Sequence, residues 1–236
     1  MSPAPTDPQA TVDVAVIGGG MAGAPLAAAL AERGLAVAVL DGRPWQADGA
    51  GGPGPERVSA LNAGTRTLLD RLGIWQRIQT AHPIRDIEIT TGDRPGRATL
   101  DPRAPEASPF GHVVENAALV AAAWERLGEE ESVRCLRPVT VKAVEAASGA
   151  TRRVTYQDAD GTVRELAARL VVGADGEHSR VREAAGIGVR GWHHNRYAVV
   201  ASVELERDHA GRAFERFRDP GPLAVLPLGE RCATLV

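Results

Sequence analysis

The chain has 236 residues, 44% hydrophobic and 24% charged, enough to bury the core of one large domain or two small ones, which excludes a disordered or collagen-like sequence. Its 27 basic and 30 acidic residues give a formal charge of -3, which provides no basic surface for an extended nucleic acid. Cys135 and Cys232 form no CxxC pair, so the cysteines indicate neither a disulfide framework nor a zinc site and fit a reducing cytoplasm.

The N-terminal part of the chain predicts a βαβ unit. Residues 1–11 contain three prolines and no signal-peptide pattern, and we interpret them as a disordered tail. Val12–Ile17 is a β-branched run typical of a buried strand, Met21–Arg33 is rich in alanine and leucine and predicts a helix ended by Gly34, and Ala36–Leu40 predicts a second strand. Charged residues and glycines interrupt this region, so we expect no membrane span.

The rest of the chain predicts further helices and strands in a mixed order. In the first half we predict a glycine- and proline-rich loop over 42–56, a helix over Ser59–Leu72, a strand over 84–91 and a helix from about Asn116 to Leu127. In the second half we predict strands from Val133 to Leu166 with a turn at Asp158–Gly161, a buried strand Arg169–Val172, a short helix ending near Gly186, and antiparallel strands Tyr197–Glu206, Ala213–Arg218, Leu223–Leu228 and Cys232–Val236.

The glycines after the first strand form a GxGxxG motif in the setting that makes the motif informative. Gly18 permits a tight turn, Gly20 lets a pyrophosphate approach the backbone, and Gly23 lets helix and strand pack closely. Asp41 ends the second strand, where its carboxylate can accept hydrogen bonds from a ribose diol. These residues predict a dinucleotide site, and the motif leaves open whether the dinucleotide is FAD or NAD.

Three further segments resemble the FAD-dependent aromatic hydroxylases, in particular the branch that hydroxylates the ring of ubiquinone precursors. They are the segment Arg57–Gly64 (RVSALNAG) continuing to Leu72-Gly73-Ile74-Trp75, the segment Gly111–Asn116 (GHVVEN), and the segment Gly173–Arg182 (GADGEHSRVR). The order and spacing of these segments match that family over nearly the whole chain.

The resemblance implies FAD as the cofactor and NAD(P)H as a co-substrate that visits transiently. It implies that Arg57, Asn116, Asp175 and Gly176 contact the cofactor, in addition to Gly18, Gly20, Gly23 and Asp41. Each has a simpler interpretation: Arg57 could be an ordinary surface arginine that closes a glycine loop, Asn116 could only cap a helix, and Asp175-Gly176 is a common turn pair. No catalytic acid or base and no metal ligand can be named, and His178, His193 and His194 are assigned no role.

The resemblance also implies an α/β fold in which a Rossmann-like FAD-binding domain is interleaved with a truncated antiparallel β substrate domain. We assign residues 12–80 and 111–188 to the FAD-binding domain and residues 81–110 and 189–236 to the partial β-rich domain. The implied reaction is hydroxylation of the aromatic ring of a polyprenylphenol by NAD(P)H and O2. The implied partners are a lipophilic phenolic substrate and O2, in a cytoplasmic protein that contacts the inner membrane or a ubiquinone-biosynthesis complex peripherally.

One part expected from that family is missing from the sequence. The family carries a second Gly-Asp segment for the flavin downstream of the Asp175 motif, whereas Gly92-Asp93 is the only such pair here. We therefore expect the chain to be the N-terminal portion of a longer enzyme. The alternatives are an FAD-binding fragment without activity, a flavin halogenase or prenyl reductase of the same fold, and an NAD-dependent dehydrogenase, which would not need Arg57 or the Asp175 motif.

Overall fold

The computed structural model describes residues 11–44, 57–92, 95–101, 108–145, 149–219 and 221–236. The chain divides into two compact units, the first comprising Met1–Asp48 and Val120–Trp192 and the second Gly49–Leu119 and His193–Val236. These units divide the chain at other residues than our domain assignment, which stays a prediction. The tail over residues 1–11, except Thr11, and most of the loop over 42–56 lie outside the described residues.

The first unit is built on a six-stranded sheet with the order β8-β2-β1-β11-β10-β9. Its strands are β1 (Val12–Ile17), β2 (Val37–Leu40), β8 (Val133–Leu136), β9 (Val139–Val144), β10 (Arg152–Asp158) and β11 (Val163–Gly173). The strands β8, β2, β1 and β11 are parallel, and β10 and β9 continue the sheet in antiparallel pairs. The β-branched and aliphatic side chains of β1 and β2 are almost all buried, as parallel strands covered on both faces require.

Helices complete the first unit. The helix α1 (Gly23–Ala31) packs on β1 and β2, and the short α4 (Arg180–Ala184) follows β11. The helix α3 (Asn116–Gly128) belongs to this unit from Val120 onwards, and its residues Trp124 and Leu127 are buried. Gly34 has a φ of +74°, so the helix α1 is followed by a left-handed glycine as its sequence predicts. The βαβ unit is thereby confirmed, with the helix two residues shorter at each end than its alanine-rich stretch.

The second unit contains two sheets. The smaller has the order β3-β7-β4, and the larger has the order β12-β15-β14-β13-β5-β6. Their strands are β3 (Val58–Asn62), β4 (Ala81–Ile84), β5 (Asp86–Thr91), β6 (Arg97–Leu100), β7 (Gly111–Glu115), β12 (Ala201–Glu204), β13 (Arg212–Phe217), β14 (Leu223–Pro227) and β15 (Cys232–Leu235). This unit also holds the helix α2 (Ala63–Arg71) and a one-turn 3₁₀ helix, Trp75–Arg77.

Three predictions about elements were wrong in detail. Residues 58–62 form β3 instead of the start of a helix, because they pair with β7 fifty residues later, and the helix begins only after Asn62, whose side chain accepts the Thr65 amide at 2.8 Å. The strands β13 and β5 pair in parallel, although we expected only antiparallel pairs after Arg196. Leu170, in the strand predicted to be buried, is 54% exposed.

Candidate functional site

Of the three motif glycines in the turn between β1 and α1, only Gly20 has room for a side chain. At Gly18 the φ is +98°, and a Cβ would lie 2.3 Å from the carbonyl oxygen of Ala174. At Gly23 a Cβ would lie 1.8 Å from the carbonyl oxygen of Gly18. Both contacts are with backbone that cannot move aside cheaply, so glycine is required at each position for the turn to close against the helix and the neighbouring strand.

The glycine turn lines an open pocket of about 480 Å³. Gly18 and Gly20 form one side of the pocket, and Asp41 and Arg43 follow the end of β2. Thr140 stands on β9, and Asp175 follows the end of β11. All these residues lie at the carboxyl ends of the parallel strands or beside them, which is where open α/β sheets bind their ligands. The pocket has the size of a small-molecule site, since such sites measure about 300–1,000 Å³.

Asp41 is buried at the end of β2, where its carboxylate holds the glycine turn. One carboxylate oxygen accepts the amide N–H of Gly19 at 2.7 Å, and the other accepts the amide N–H of Arg43 at 2.8 Å. Burial raises the pKa of Asp41, but the hydrogen bonds from Arg43 and Gly19 outweigh it and hold the pKa below its ordinary value. The residue is therefore charged at neutral pH and oriented by backbone donors.

Arg43 is a pocket residue that the sequence analysis did not single out. Its Nε lies 3.2 Å and its Nη2 3.4 Å from the two oxygens of Asp41, and its side chain is 65% exposed. The guanidinium reaches over the glycine turn, because Nη2 is 3.6 Å from the place where a Cβ on Gly20 would be. The sequence could have indicated Arg43, because it stands two residues after Asp41, the acid that ends β2. The ribose contact predicted for Asp41 requires a hydroxyl to replace one of these exposed arginine donors.

Asp175 stands where β11 turns towards α4, and its carboxylate organises that turn. It accepts the hydroxyl of Ser179 at 2.5 Å and the amide N–H of Arg180 at 2.7 Å, and Ser179 in turn accepts the amide of Arg182 at 3.1 Å. Gly176 follows with a φ of +86°, a conformation that favours glycine. Asp175 and Gly176 line the pocket beside Gly18, so the structure brings six of the eight predicted residues into one unit.

The other two predicted residues, Arg57 and Asn116, lie together in the second unit. The amide of Asn116 donates to the carbonyl oxygen of Arg57 at 2.8 Å, and the Asn116 side chain accepts the hydroxyl of Ser59 at 2.7 Å. These bonds place Asn116 at the first residue of α3, directly after β7. The cofactor contacts expected of Arg57 and Asn116 stay predictions.

Trp124 of α3 is a second residue that the sequence analysis missed. Its indole N–H donates to the carbonyl oxygen of Gly19 at 2.8 Å, across 105 residues of sequence. The guanidinium of Arg137 lies 3.6 Å over the indole ring. The sequence indicated a close contact at this point only through Gly19, a glycine at a position where the GxGxxG motif accepts any residue.

The described residues also include a half-buried histidine beside an aromatic ring. His112 of β7 meets Trp75 edge-on at 5.0 Å, and burial together with the nearby Arg66 lowers the pKa of His112. Across the described ranges no three His, Cys, Asp or Glu side chains are grouped to hold a metal ion. No helix among those residues is both long and apolar enough to cross a membrane.

Comparison with known proteins gives consistent matches over nearly the whole chain. The FAD binding domain family matches residues 11–233. Ubiquinone hydroxylase UbiL of Rhodospirillum rubrum is 39% identical over 232 residues, which are 95% of this chain and 51% of that protein. The 3-demethoxyubiquinol 3-hydroxylase of Escherichia coli is 33% identical over 231 residues, 95% of this chain and 56% of that protein.

The fold is also that of solved flavin monooxygenases. The p-nitrophenol 4-monooxygenase PnpA from Pseudomonas putida superposes with a TM-score of 0.73 at 21% identity, covering 95% of this chain and 57% of that one. The chain spans about half the length of the curated relatives it matches. The α/β fold predicted from the sequence is confirmed, and so is the resemblance that suggested it. By this match over nearly all its length, the chain belongs to the FAD-binding domain family.

Proposed function

We propose that the pocket binds the ADP half of FAD and that the protein hydroxylates the aromatic ring of a ubiquinone precursor, a polyprenylphenol, with NAD(P)H and O2. The observation that carries the proposal is the glycine turn. Gly18 and Gly23 cannot accept a Cβ, and Gly20 lines the pocket without a side chain, so a pyrophosphate can reach the backbone there. An acid at the end of β2 completes the set of residues that a dinucleotide needs.

The residues of the pocket fit FAD in chemistry as well as in shape. Arg43 places an exposed positive charge beside the glycine turn, where it can pair with the negative charges of a pyrophosphate bound at that turn. Asp41 offers carboxylate oxygens to the ribose, and we propose that Asp175 and Gly176 keep the strand end open beside the cofactor. The sequence resemblance supports Arg57 and Asn116 as further residues that contact the cofactor.

FAD, when bound, supplies the redox chemistry that takes electrons from NAD(P)H and activates O2. The contribution of this chain is to bind and orient the cofactor and to keep water from it. The curated relatives are named as hydroxylases of ubiquinone or its precursor, and this supports a phenolic substrate for the whole protein. Because the chain spans about half their length, the activity is proposed for the whole protein.

A polyprenylated substrate is insoluble in water, and this supports a peripheral contact with the inner membrane on its cytoplasmic side, or with a complex that hands over the lipid. Flotation with vesicles of phosphatidylethanolamine and phosphatidylglycerol tests the contact. Co-flotation of the protein supports it, and full recovery of the protein in the bottom fraction, with and without the polyprenylphenol, contradicts it.

Titration of the purified chain with FAD tests the proposal most directly. We expect quenching of the flavin fluorescence at a one-to-one ratio, competition by ADP, and loss of both in Gly20→Glu, whose carboxylate would stand at the phosphate position. A chain that takes up no FAD refutes the site. If FAD binds, product analysis of the whole enzyme with a phenol and with an alkene separates hydroxylation from prenyl reduction, and added halide reveals a halogenase.

A further inference from the structure

The middle residue of the glycine turn is a glycine for a reason that lies in another part of the chain. Gly19 occupies a position that the GxGxxG motif leaves open, and its backbone lies outside the left-handed region. Neither the motif nor its conformation therefore requires glycine. A Cβ on Gly19 would nevertheless lie 2.1 Å from Cζ2 of the Trp124 ring. Trp124 occupies the volume that any side chain at position 19 would need.

Trp124 is held rigidly in this place. The residue is 3% exposed, and the Arg137 guanidinium stacks on its ring at 3.6 Å. Its indole N–H donates to the Gly19 carbonyl oxygen at 2.8 Å in a buried bond. The ring therefore packs against one residue of the turn and fixes the direction of that residue's carbonyl group.

The direction of the Gly19 carbonyl determines the direction of the next amide. In a planar trans peptide the C=O of one residue and the N–H of the next point to opposite sides. Because the Gly19 carbonyl points at Trp124, the Gly20 N–H points away from Trp124. Gly20 lines the pocket and Gly19 does not, so the pocket lies on the side of the turn that faces away from Trp124. The preceding peptide, Gly18–Gly19, is held separately, because its Gly19 N–H donates to Asp41 at 2.7 Å.

We infer that Trp124 is a positioning residue for the cofactor: it holds the Gly19–Gly20 peptide so that the Gly20 N–H is presented to the pyrophosphate of the dinucleotide. This inference rests on the proposed function, because it takes the pocket as the site of the ADP half of FAD. It assigns Trp124 a role in binding through its N–H, beyond the packing of its ring. The residue does not itself touch the ligand.

The test compares Trp124→Phe with the wild-type chain, because phenylalanine keeps an aromatic ring and removes the N–H. We expect the dissociation constants for FAD and ADP to rise about five- to tenfold, the effect of losing one buried hydrogen bond. In wild type, we expect ADP to shift the amide proton of Gly20 in a ¹H–¹⁵N NMR spectrum, and this shift to be largely lost in Trp124→Phe. Trp192→Phe is the matched control, because Trp192 is 79% exposed and outside the pocket.

A second pair of variants covers the case in which Trp124→Phe does not fold. We expect Gly19→Ala to lose ADP binding through its clash with the ring, and Gly19→Ala combined with Trp124→Leu to bind ADP more tightly than Gly19→Ala alone. Unchanged ADP binding in Trp124→Phe or Gly19→Ala overturns the inference, and so does weaker binding with the Gly20 shift retained. Failure of the wild-type chain to bind FAD or ADP instead refutes the proposed function, and the inference with it.

Discussion

The hydrogen bond from the Gly19 amide to Asp41 is the contact whose removal we expect to destabilise the first unit most directly. Asp41→Ala leaves that buried amide without its acceptor, which costs about 1–3 kcal/mol, and removes the acceptor of the half-buried Arg43 amide. The ion pair with the Arg43 side chain adds little, about 0–1 kcal/mol, since Arg43 is 65% exposed. We therefore expect the free energy of unfolding to fall by about 2–3 kcal/mol, which lowers the Tm of a chain of this size by roughly 4–12 °C.

Urea unfolding followed by circular dichroism measures this loss, with Arg43→Ala as the control. Arg43→Ala removes only the exposed side-chain donors and keeps both amide bonds to Asp41, so we expect a loss under about 1 kcal/mol. The reasoning fails if the two variants are equally destabilised, or if Asp41→Ala unfolds as the wild type does.

The pKa of Asp41 is lowered, so its contribution to the free energy of unfolding is present above pH 3.8 and is lost as the pH falls below that value. The difference between wild type and Asp41→Ala should therefore shrink in acid.

The remaining predictions concern three other contacts. Gly23→Ala should lose FAD binding by more than tenfold, because its Cβ would meet a backbone oxygen at 1.8 Å, whereas Gly128→Ala, with open space around it, should bind FAD as wild type does. Asp175→Ala should speed hydrogen exchange of the Arg180 amide, and unchanged exchange would contradict its role in the turn. The pKa of His112 is lowered, so its contribution to the free energy of unfolding is present above pH 6.5 and is lost as the pH falls. In urea unfolding, the free energy of unfolding of a His112→Gln variant should therefore depend less steeply on pH than that of the wild type, and equal slopes would refute this.

The sequence predicted those parts of the site that depend on local patterns. The strand β1, the glycine turn and α1 were predicted within two residues, because hydrophobic runs and obligatory glycines are signals within one short segment. The helix predicted from Ser59 began four residues too early, because the stripe that includes Leu61 fits a helix face and a strand alike. Residues 58–62 form a strand because they pair with β7, which lies far along the chain.

The contacts that fix the site depend on residues far apart in the sequence. The acid Asp41 was predicted as a ligand of the ribose, but its bond to Gly19 lies across 22 residues and follows from no motif. Trp124 reaches Gly19 from 105 residues away, and only the extra glycine hinted at it. Asp175 was predicted as part of the site and as part of a turn, and its bonds to Ser179 and Arg180 are those of the turn.

The pairing of β1 with β11 has a consequence for the order of events during synthesis. β1 begins at Val12, whereas the strand beside it, β11, ends at Gly173, and the wall of the pocket continues to Arg180. The ribosome must therefore deliver most of this chain before the pocket can close. Contacts between such distant residues form slowly, because a long loop has to close first. Until β11 has been made, one edge of β1 lacks its partner strand, and unpaired apolar strand edges are prone to aggregation.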